Sequence, residues 1–590
     1  MYKVALNNSK MKKTILVIAI LILSNSLIYA QFILKNSEDV NWYQNLPQEQ
    51  IYVHYNGNMH FAGEHIYYKV YSTNVVTNML SENSKMVYVE LVGKDGVVFR
   101  HRIRLDKGLG QSEYFIPTTV KTGHYKLIAY TQWMKNVEGN HFFESDISII
   151  NPYAKIEFDD SSSQEISTVN ETNKFDLIKL ESDKTRYGTR EEVSVTLTSL
   201  KTTRPYGNYS LSVVQVDKIL NPFSLPTAEL FYSDANSGTV KNRKRSVGET
   251  FILPEFKGEM VSGKVYNSSG KPANGVEVAL SVLSDEAHQH MVLTNDLGVF
   301  YFQILNPYSF HRAMIQVVGD NRSEYRVEVD EHLGVDYSSL SFEPLRIHPD
   351  FEEEIIKRSV SNQIQTAYAN KWQHELVPPE YPKPFYGNYQ QTFILDDYKR
   401  FPTIAETLIE VVDNAWHERE NGKQRFIKVR PRENDPYWGE DLLPMLVVDG
   451  ALVQDHDLVM NFDANKVESI SVLRDEYYFG DRVYQGAVYI KTFDNDFNSN
   501  QKGDFIKTFD LFPPQHDMDY YSHEYTNETD FSRIPDYRRQ LFWKPDIQLQ
   551  SHEQEFKFFT SDNKGTYRIT FEGFTFAGEP ISITKLIQVD

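Results

Sequence analysis

The chain has 590 residues, no cysteine and a formal charge of −20. The missing thiol excludes disulfides, thiolate metal sites, a cysteine nucleophile and a lipid-bearing cysteine, and the acidity argues against nucleic acid, whose phosphates need clustered Lys and Arg. A chain of this length holds about three to five domains with separate cores, and its 37 Tyr and 36 Phe suit pleated, half-buried surfaces.

At the N-terminus, Lys10, Lys12 and Lys13 precede the apolar run Ile15 to Leu23, which Ser24, Asn25 and Ser26 interrupt before Ala30. This is the pattern of a secretory signal over 1–30, cleaved after Ala30, and it predicts an exported chain, periplasmic or associated with the outer membrane. Met11 is an alternative start. Cleavage removes Lys3, Lys10, Lys12 and Lys13 and no acid, moving the formal charge from −20 to −24.

From Gln50 to Ile150 seven short strands follow one another: 51–54, 65–72, 86–92, 97–104, 113–116, 124–130 and 142–149. Turn residues such as Asn56-Gly57, Lys94-Asp95-Gly96 and Thr122-Gly123 separate them. That spacing predicts a β-sandwich. Ile51-Tyr52-Val53-His54-Tyr55, then Phe61-Ala62-Gly63-Glu64 running into 65–71, and later Thr122 to Tyr130, resemble the macroglobulin-2 domain of the α2-macroglobulin superfamily over 48–152.

Residues 159–173, polar and without periodicity, read as a linker. Lys184 to Gly188, Val193 to Leu197 and Tyr209 to Val214 suggest a second macroglobulin-like domain over 174–256, which ends in the basic stretch Ser233 to Gly248. Val261 to Tyr266, Gly270 to Leu280 and Thr294 to Phe302 alternate strands with Gly/Pro and Asp-x-Gly turns. They resemble the carboxypeptidase-regulatory-like domain over 257–335.

A helix is expected over 351–373, stopped by Pro378 to Pro384. Another follows Pro402, with Ile404, Leu408, Val411 and Ala415 along one face, and then comes a strand over 425–430. Pro444 to Gly450, Val467 to Asp475 and Gly486 to Thr492 resemble the plug domain of TonB-dependent outer-membrane receptors, over 392–493. The 22 or so strands of such a receptor's barrel, at about 10 residues each, do not fit between Phe493 and Asp590, so a transporter acting alone is not expected. The stretch 494–539 carries no readable function. Strands return over 546–590, where Gly565-Thr566-Tyr567 echoes Gly123-His124-Tyr125 and suggests another macroglobulin-like sheet completed by earlier strands.

Chemistry is sparse. His288 and His290 share one side of a strand near Asp285 and Glu286, yet no third ligand is at hand, and incidental loop histidines are the simpler reading. No His-Glu-x-x-His, Gly-x-Ser-x-Gly or phosphate loop occurs, and the thioester of macroglobulins needs a cysteine. No catalytic residue, cofactor or metal is therefore assigned. Between Asp475 and Gly486 the chain departs from the receptor pattern, and Tyr477, Tyr478, Phe479 and Arg482 form the candidate partner contact there.

The expected fold is mainly β: tandem sandwiches of macroglobulin or immunoglobulin type plus a small α+β plug-like domain, with no membrane barrel. The three resemblances together point to envelope proteins of Bacteroidota-type bacteria. They imply a non-enzymatic modular protein that docks to an outer-membrane barrel or envelope complex, with no nucleic acid and no small-molecule cofactor. Edge strands offer β-augmentation as a binding mode. The alternative is a thioester-less protease-binding or inhibitory protein, with Ser233 to Gly248 and its Lys241, Arg243, Lys244 and Arg245 as the cleavable bait.

Overall fold

A computed structural model describes residues 31–590 apart from 140, 161–176, 201–205, 217, 218, 220–223, 236–239, 241, 284–288, 306, 307, 309, 310, 332, 333, 372, 373, 379–390, 421–423, 433–441, 526–532 and 550. The signal segment, most of the linker, His288 with its neighbouring acids, and Lys241 lie outside the described residues. Strand makes up 47% of the chain and helix 13%, so the architecture is mainly β. Among the described residues no sheet closes into a barrel, and no helix is long and apolar enough to cross a membrane.

The first sandwich is contiguous in sequence. Glu49–Tyr55, His65–Asn74 and Leu109–Phe115 form one sheet. Met59–Phe61, Phe143–Ile150, Gly123–Tyr130, Met86–Gly93 and Gly96–Arg104 form the other, in that order. Met59–Phe61, an eighth strand the sequence reading did not contain, pairs parallel with Phe143–Ile150. Tyr52, Tyr68, Tyr71, Tyr88 and Tyr130 are buried in the core. Glu49–Tyr55 and Met86–Gly93 are buried on both faces, so neither shows the alternation of a strand with one wet side. Other modules cover their outer faces.

A second sandwich repeats this plan from two distant pieces of chain. Ile178–Ser182, Glu192–Ser199 and Glu553–Phe559 form its smaller sheet. The larger runs Arg186–Tyr187, Pro580–Val589, Gly565–Thr575, Gly207–Gln215, Gln540–Ile547, with the same parallel pair at its edge. Strands on both sides of the chain's middle share one core, in which Val195, Leu211, Ile569 and Phe571 are buried. The stretches separated in sequence as 174–256 and 546–590 thus contribute to a single sandwich. In the first copy, Gly93 and Gly96 close a tight hairpin at the point where the second copy departs from Gln215 and returns at Gln540.

The equivalence reaches single side chains. Tyr125 and Tyr567 each donate their hydroxyl to the carbonyl four residues back, Lys121 at 2.6 Å and Asn563 at 3.0 Å. The Phe61 N–H donates to Glu64 Oε2 at 2.9 Å, and the Gly188 N–H to Glu191 Oε2 at 2.6 Å. Between these partners Gly63 sits at φ +96° and Arg190 at φ +56°, so the same turn uses glycine once and arginine once.

The excursion from 216 to 539 holds two further modules. One packs Val299–Ile304, Glu259–Asn267 and Tyr325–Val329 on Gln289–Leu293, Glu277–Val282, Arg312–Val317 and Ile506–Asp510. Its last strand comes from beyond residue 335, where the sequence reading closed the domain. Gly298, at φ +69°, makes the tight turn before its aromatic strand, and a Cβ there would lie 2.7 Å from the Val265 carbonyl oxygen.

The other module is a mixed sheet ordered Gln391–Ile394, Val467–Leu473, Ala487–Thr492, Met445–Val448, Ala451–Leu452. It carries the hairpin Ala415–Glu420 with Gln424–Val429 and the helix Ile404–Glu410. Thr403 caps that helix, and Ile404 and Leu408 are buried as its apolar spacing requires. Ala415 already lies in strand, because the helix stops at Glu410. The helix expected over 351–373 spans Glu352–Ala367.

Candidate functional site

A cleft of about 960 Å³ opens where the two sandwiches meet the helix Glu352–Ala367 and the segment around Tyr520. It lies at the upper end of ligand-pocket sizes. Six stretches of chain, within 54–67, 113–115, 214–230, 358–374, 518–543 and 568–584, build it.

One wall is the edge of the first sandwich. Glu64 grips Arg358 of the helix in a bidentate pair, with both bonds at 2.7 Å, and Arg358 also stacks over the Phe61 ring at 4.2 Å. Asn362 donates to the same carboxylate at 3.0 Å. Burial alone would raise the Glu64 carboxyl, but the Arg358 guanidinium pulls it down to about 2. The Phe61 N–H goes to Glu64, and the Met59 carbonyl accepts from Arg358 at 3.2 Å. The ion pair therefore occupies edge groups of Met59–Phe61 that a neighbouring strand would otherwise use.

A second wall is imidazole and phenol. His65 stacks on Tyr67 with ring centroids 5.6 Å apart, and Tyr67 shares a hydrogen bond of 3.0 Å with His374 Nε2. His374 Nδ1 accepts from the Tyr521 N–H at 2.9 Å, which fixes the proton of the neutral ring on Nε2. Glu113 lies between His65, at 3.4 Å, and His374, at 3.8 Å. Burial lowers the His374 pKa, against the pull of Glu113. Burial, then Arg538, brings His523 to about 3, so its ring is uncharged near neutrality.

The floor belongs to the second sandwich. Trp543 packs against His54 at 5.3 Å, and His54 Nδ1 meets Ser210 Oγ at 2.6 Å. Burial and the nearby Arg568 charge bring His54 to about 3. Glu572 accepts from Tyr52 at 3.2 Å, from the Ala228 N–H at 2.9 Å and from Ser582 at 2.6 Å. Burial outweighs these bonds and raises its carboxyl to about 8. Arg538 holds Asp536, which Tyr525 also contacts at 2.6 Å, and Arg539 donates to the Gln215 side chain at 2.7 Å and to its carbonyl at 3.4 Å. The Leu541 carbonyl accepts from Arg538, which blunts this strand edge as well.

The candidate contact residues lie elsewhere, on the hairpin Tyr477–Phe479 with Arg482–Tyr484. Phe479 is buried, and Tyr477 packs with it against Ala279, Val318 and Met291 of the adjacent sandwich. Arg482 binds Glu277 of that sandwich at 2.6 Å, while Tyr478 is 58% exposed. The structure thus brings three of the four into an internal contact and leaves the Tyr478 ring at the surface. The neighbouring Asp449-Gly450 turn faces the same way: Gln289 donates to the Gly450 carbonyl at 3.1 Å and Gln316 to that of Leu452 at 2.7 Å.

In the basic stretch, Arg243 and Lys244 are exposed, but the described residues from Asn242 to Gly248 are tied down. The Arg243 N–H reaches the Asn136 carbonyl at 2.9 Å, Asn242 donates to the carbonyls of Tyr43 and Leu46, and the Gly248 N–H reaches Leu34. His290 is on the half-buried strand Gln289–Leu293. Among the described residues no group of three His, Asp or Glu is placed to hold a metal ion. No single stretch of the sequence carries the cleft, because its residues come from six separated parts of the chain. The Arg538-Arg539 pair, basic within an acidic stretch, was the available signal.

No known protein family matches the chain, and no curated protein sequence does. Among solved structures, a mutant form of Salmonella alpha-2-macroglobulin aligns over 95% of this chain and 41% of its own, at 11% identity and a TM-score of 0.23. Escherichia coli alpha-2-macroglobulin activated by porcine elastase aligns over 92% and 44%, at 10% identity and 0.23. The Escherichia coli adhesin FdeC aligns over 29% and 48%, at 13% identity and 0.14. The chain spans about two fifths of the length of these macroglobulins.

Proposed function

We propose that this chain is an exported, non-enzymatic, modular protein of the bacterial envelope that docks to an outer-membrane partner, a transport or secretion barrel or its complex, and that the cleft is its receiving site. The observation that supports this reading is the cleft itself. Two repeated sandwiches and a helix converge on one opening with aromatic walls and a few fixed polar groups, the makeup of a recognition site.

Its ionisable groups favour holding over chemistry. Glu64 is engaged by Arg358 and Asn362, Glu572 by three donors, and His374 uses both ring nitrogens in hydrogen bonds. A general base needs a lone pair within reach of a substrate proton. The plug-like module contributes as a rigid partner of the neighbouring sandwich, and its surface tyrosine, Tyr478, is the part of the predicted contact open to another protein. β-Augmentation at the cleft is disfavoured, since side chains already occupy groups on both nearby strand edges.

Affinity isolation of the native chain from solubilised outer membranes tests the reading. Recovery of one barrel protein in stoichiometric amount is the expected result. Recovery of the chain alone, from the soluble periplasmic fraction, would overturn it.

A further inference from the structure

We infer that the outward face of the helix Glu352–Ala367 is a self-association surface, on which a second copy of this chain packs its own helix antiparallel about a two-fold axis. This face is turned away from the cleft, so the inference stands apart from the docking reading above.

The first argument is that the helix has two apolar faces and the fold uses one of them. Toward the sandwiches, Ile355 is buried with Phe61 and Ile347, and Arg358 and Asn362 hold Glu64. On the other side Ile356 is 57% exposed, Val360 49% and the C-cap residue Tyr368 37%. With the part-buried Ile364 they recur every four residues, the spacing that forms one ridge on a helix surface. A helix face that stays in water carries polar residues at such positions instead. In the shallow-angle class of helix packing, about 20°, a ridge of this kind lies along the groove of a second helix, and the ends of the two helices stay within reach of each other.

The second argument is charge, which selects the occupant and its direction. Glu352, Glu353 and Glu354 fill the first turn, and Lys371 ends the short 3-10 turn that follows the C-cap. Glu353 and Lys371 are both exposed. The ridge from Ile356 to Tyr368 and the pair Glu353 and Lys371 share one midpoint, level with Asn362. A two-fold axis at that level sets Ile356 against Tyr368 of the second copy, Val360 against its Ile364 and Glu353 against its Lys371, and does so at both ends at once. Parallel packing would instead bring the three glutamates of one helix against those of the other, whereas antiparallel packing sets opposed helix dipoles side by side. A foreign helix would need this same spacing of acid, apolar row and base. A second copy has it by construction.

Sedimentation equilibrium of the full chain tests this. A contact of a few helical turns is small for a stable interface, so a dimer of micromolar affinity is expected. Val360→Asp should weaken it by about a hundred-fold, because each of the two copies loses an apolar side chain from the contact. Glu353→Lys and Lys371→Glu should each weaken it by about ten-fold, and the double variant should return to the parent's affinity, since it remakes both pairs with their signs exchanged. Urea unfolding of each variant, at a concentration where the parent is monomeric, should match that of the parent, which separates lost association from lost fold. A chain monomeric throughout the micromolar range, a dimer indifferent to Val360→Asp, or single reversals that the double variant does not rescue would each overturn the inference. A monomeric chain whose Val360→Asp variant no longer recovers the outer-membrane partner would assign the ridge to that partner and would overturn it too.

Discussion

The two sandwiches share one strand plan and differ in how the chain supplies it. The first is written in one stretch and closes the hairpin between its fourth and fifth strands with Lys94 and Asp95. The second opens at the same point to admit the residues from 216 to 539. A sheet edge that tolerates a tight turn also tolerates a large excursion, because the strand ends on either side are held by their neighbours and not by the connection. The comparison also shows which local features the plan demands. The tyrosine reaching back four residues and the glutamate accepting from the N–H three residues before it occur in both copies. The glycine between does not.

The largest expected difference between the copies lies in the partners of that glutamate. Glu64 is paired with the buried Arg358, whereas Glu191 meets Lys184 at the surface. Arg358→Ala leaves a buried carboxylate without its cation and should cost about 3–5 kcal/mol in urea unfolding. Lys184→Ala should leave the unfolding curve where it is. Equal losses at the two positions would show that the copies use the turn in the same way.

A smaller effect belongs to the residue before the glutamate. Gly63 sits at φ +96° with the nearest atom to an added Cβ 4.0 Å away, so Gly63→Ala meets open space and only the backbone term remains, about 1–2 kcal/mol. Arg190 accepts that conformation in the second copy and is held there by a bidentate pair with Asp562 and by the Ile534 carbonyl. Arg190→Gly relieves the backbone and loses those bonds, and should change stability less than Gly63→Ala, as read from thermal unfolding. A loss greater than that of Gly63→Ala would mean the ion pair, not the turn, governs this corner.

The smallest effect is a slope. Glu572 joins the copies through Tyr52. Its folded pKa is raised by burial from 4.5 to about 8, so the fold favours the neutral carboxyl. That contribution is whole below pH 4.5 and is lost as the pH rises to about 8. Glu572→Gln should flatten the decline in stability across this window. An unchanged decline would place its origin in another group.

Much of the fold was legible in the sequence. Regular spacing and turn residues marked the seven longer strands of the first sandwich, and the Asp-x-Gly turn at Gly298 marked its strand. The Gly565-Thr566-Tyr567 echo pointed to a second copy, and its tyrosine makes the same backward bond as Tyr125. Alternation reports which faces are wet but not which strands are neighbours, so the joining of Gly207–Gln215 to Gln540–Ile547 was not legible. Met59–Phe61 is too short to show a period. The hairpin at Tyr477 looked like a surface aromatic patch, because burial by another module leaves no trace in the local pattern. The cleft was hidden for the same reason: Glu64 and Arg358 are 294 residues apart and each alone reads as a surface charge.

The divided sandwich also sets an order of assembly. Gln215 and Arg539 are hydrogen-bonded across 324 residues, and Gly207–Gln215 lies between two strands that are both made later. The first sandwich can fold as soon as its own stretch has emerged. The second must wait with half a core exposed until the last fifty or so residues arrive, and the cleft exists only after that closure. Folding of the inserted modules brings the two ends together and shortens the effective loop, so a defect inside the insertion would register as failure of a site some distance away.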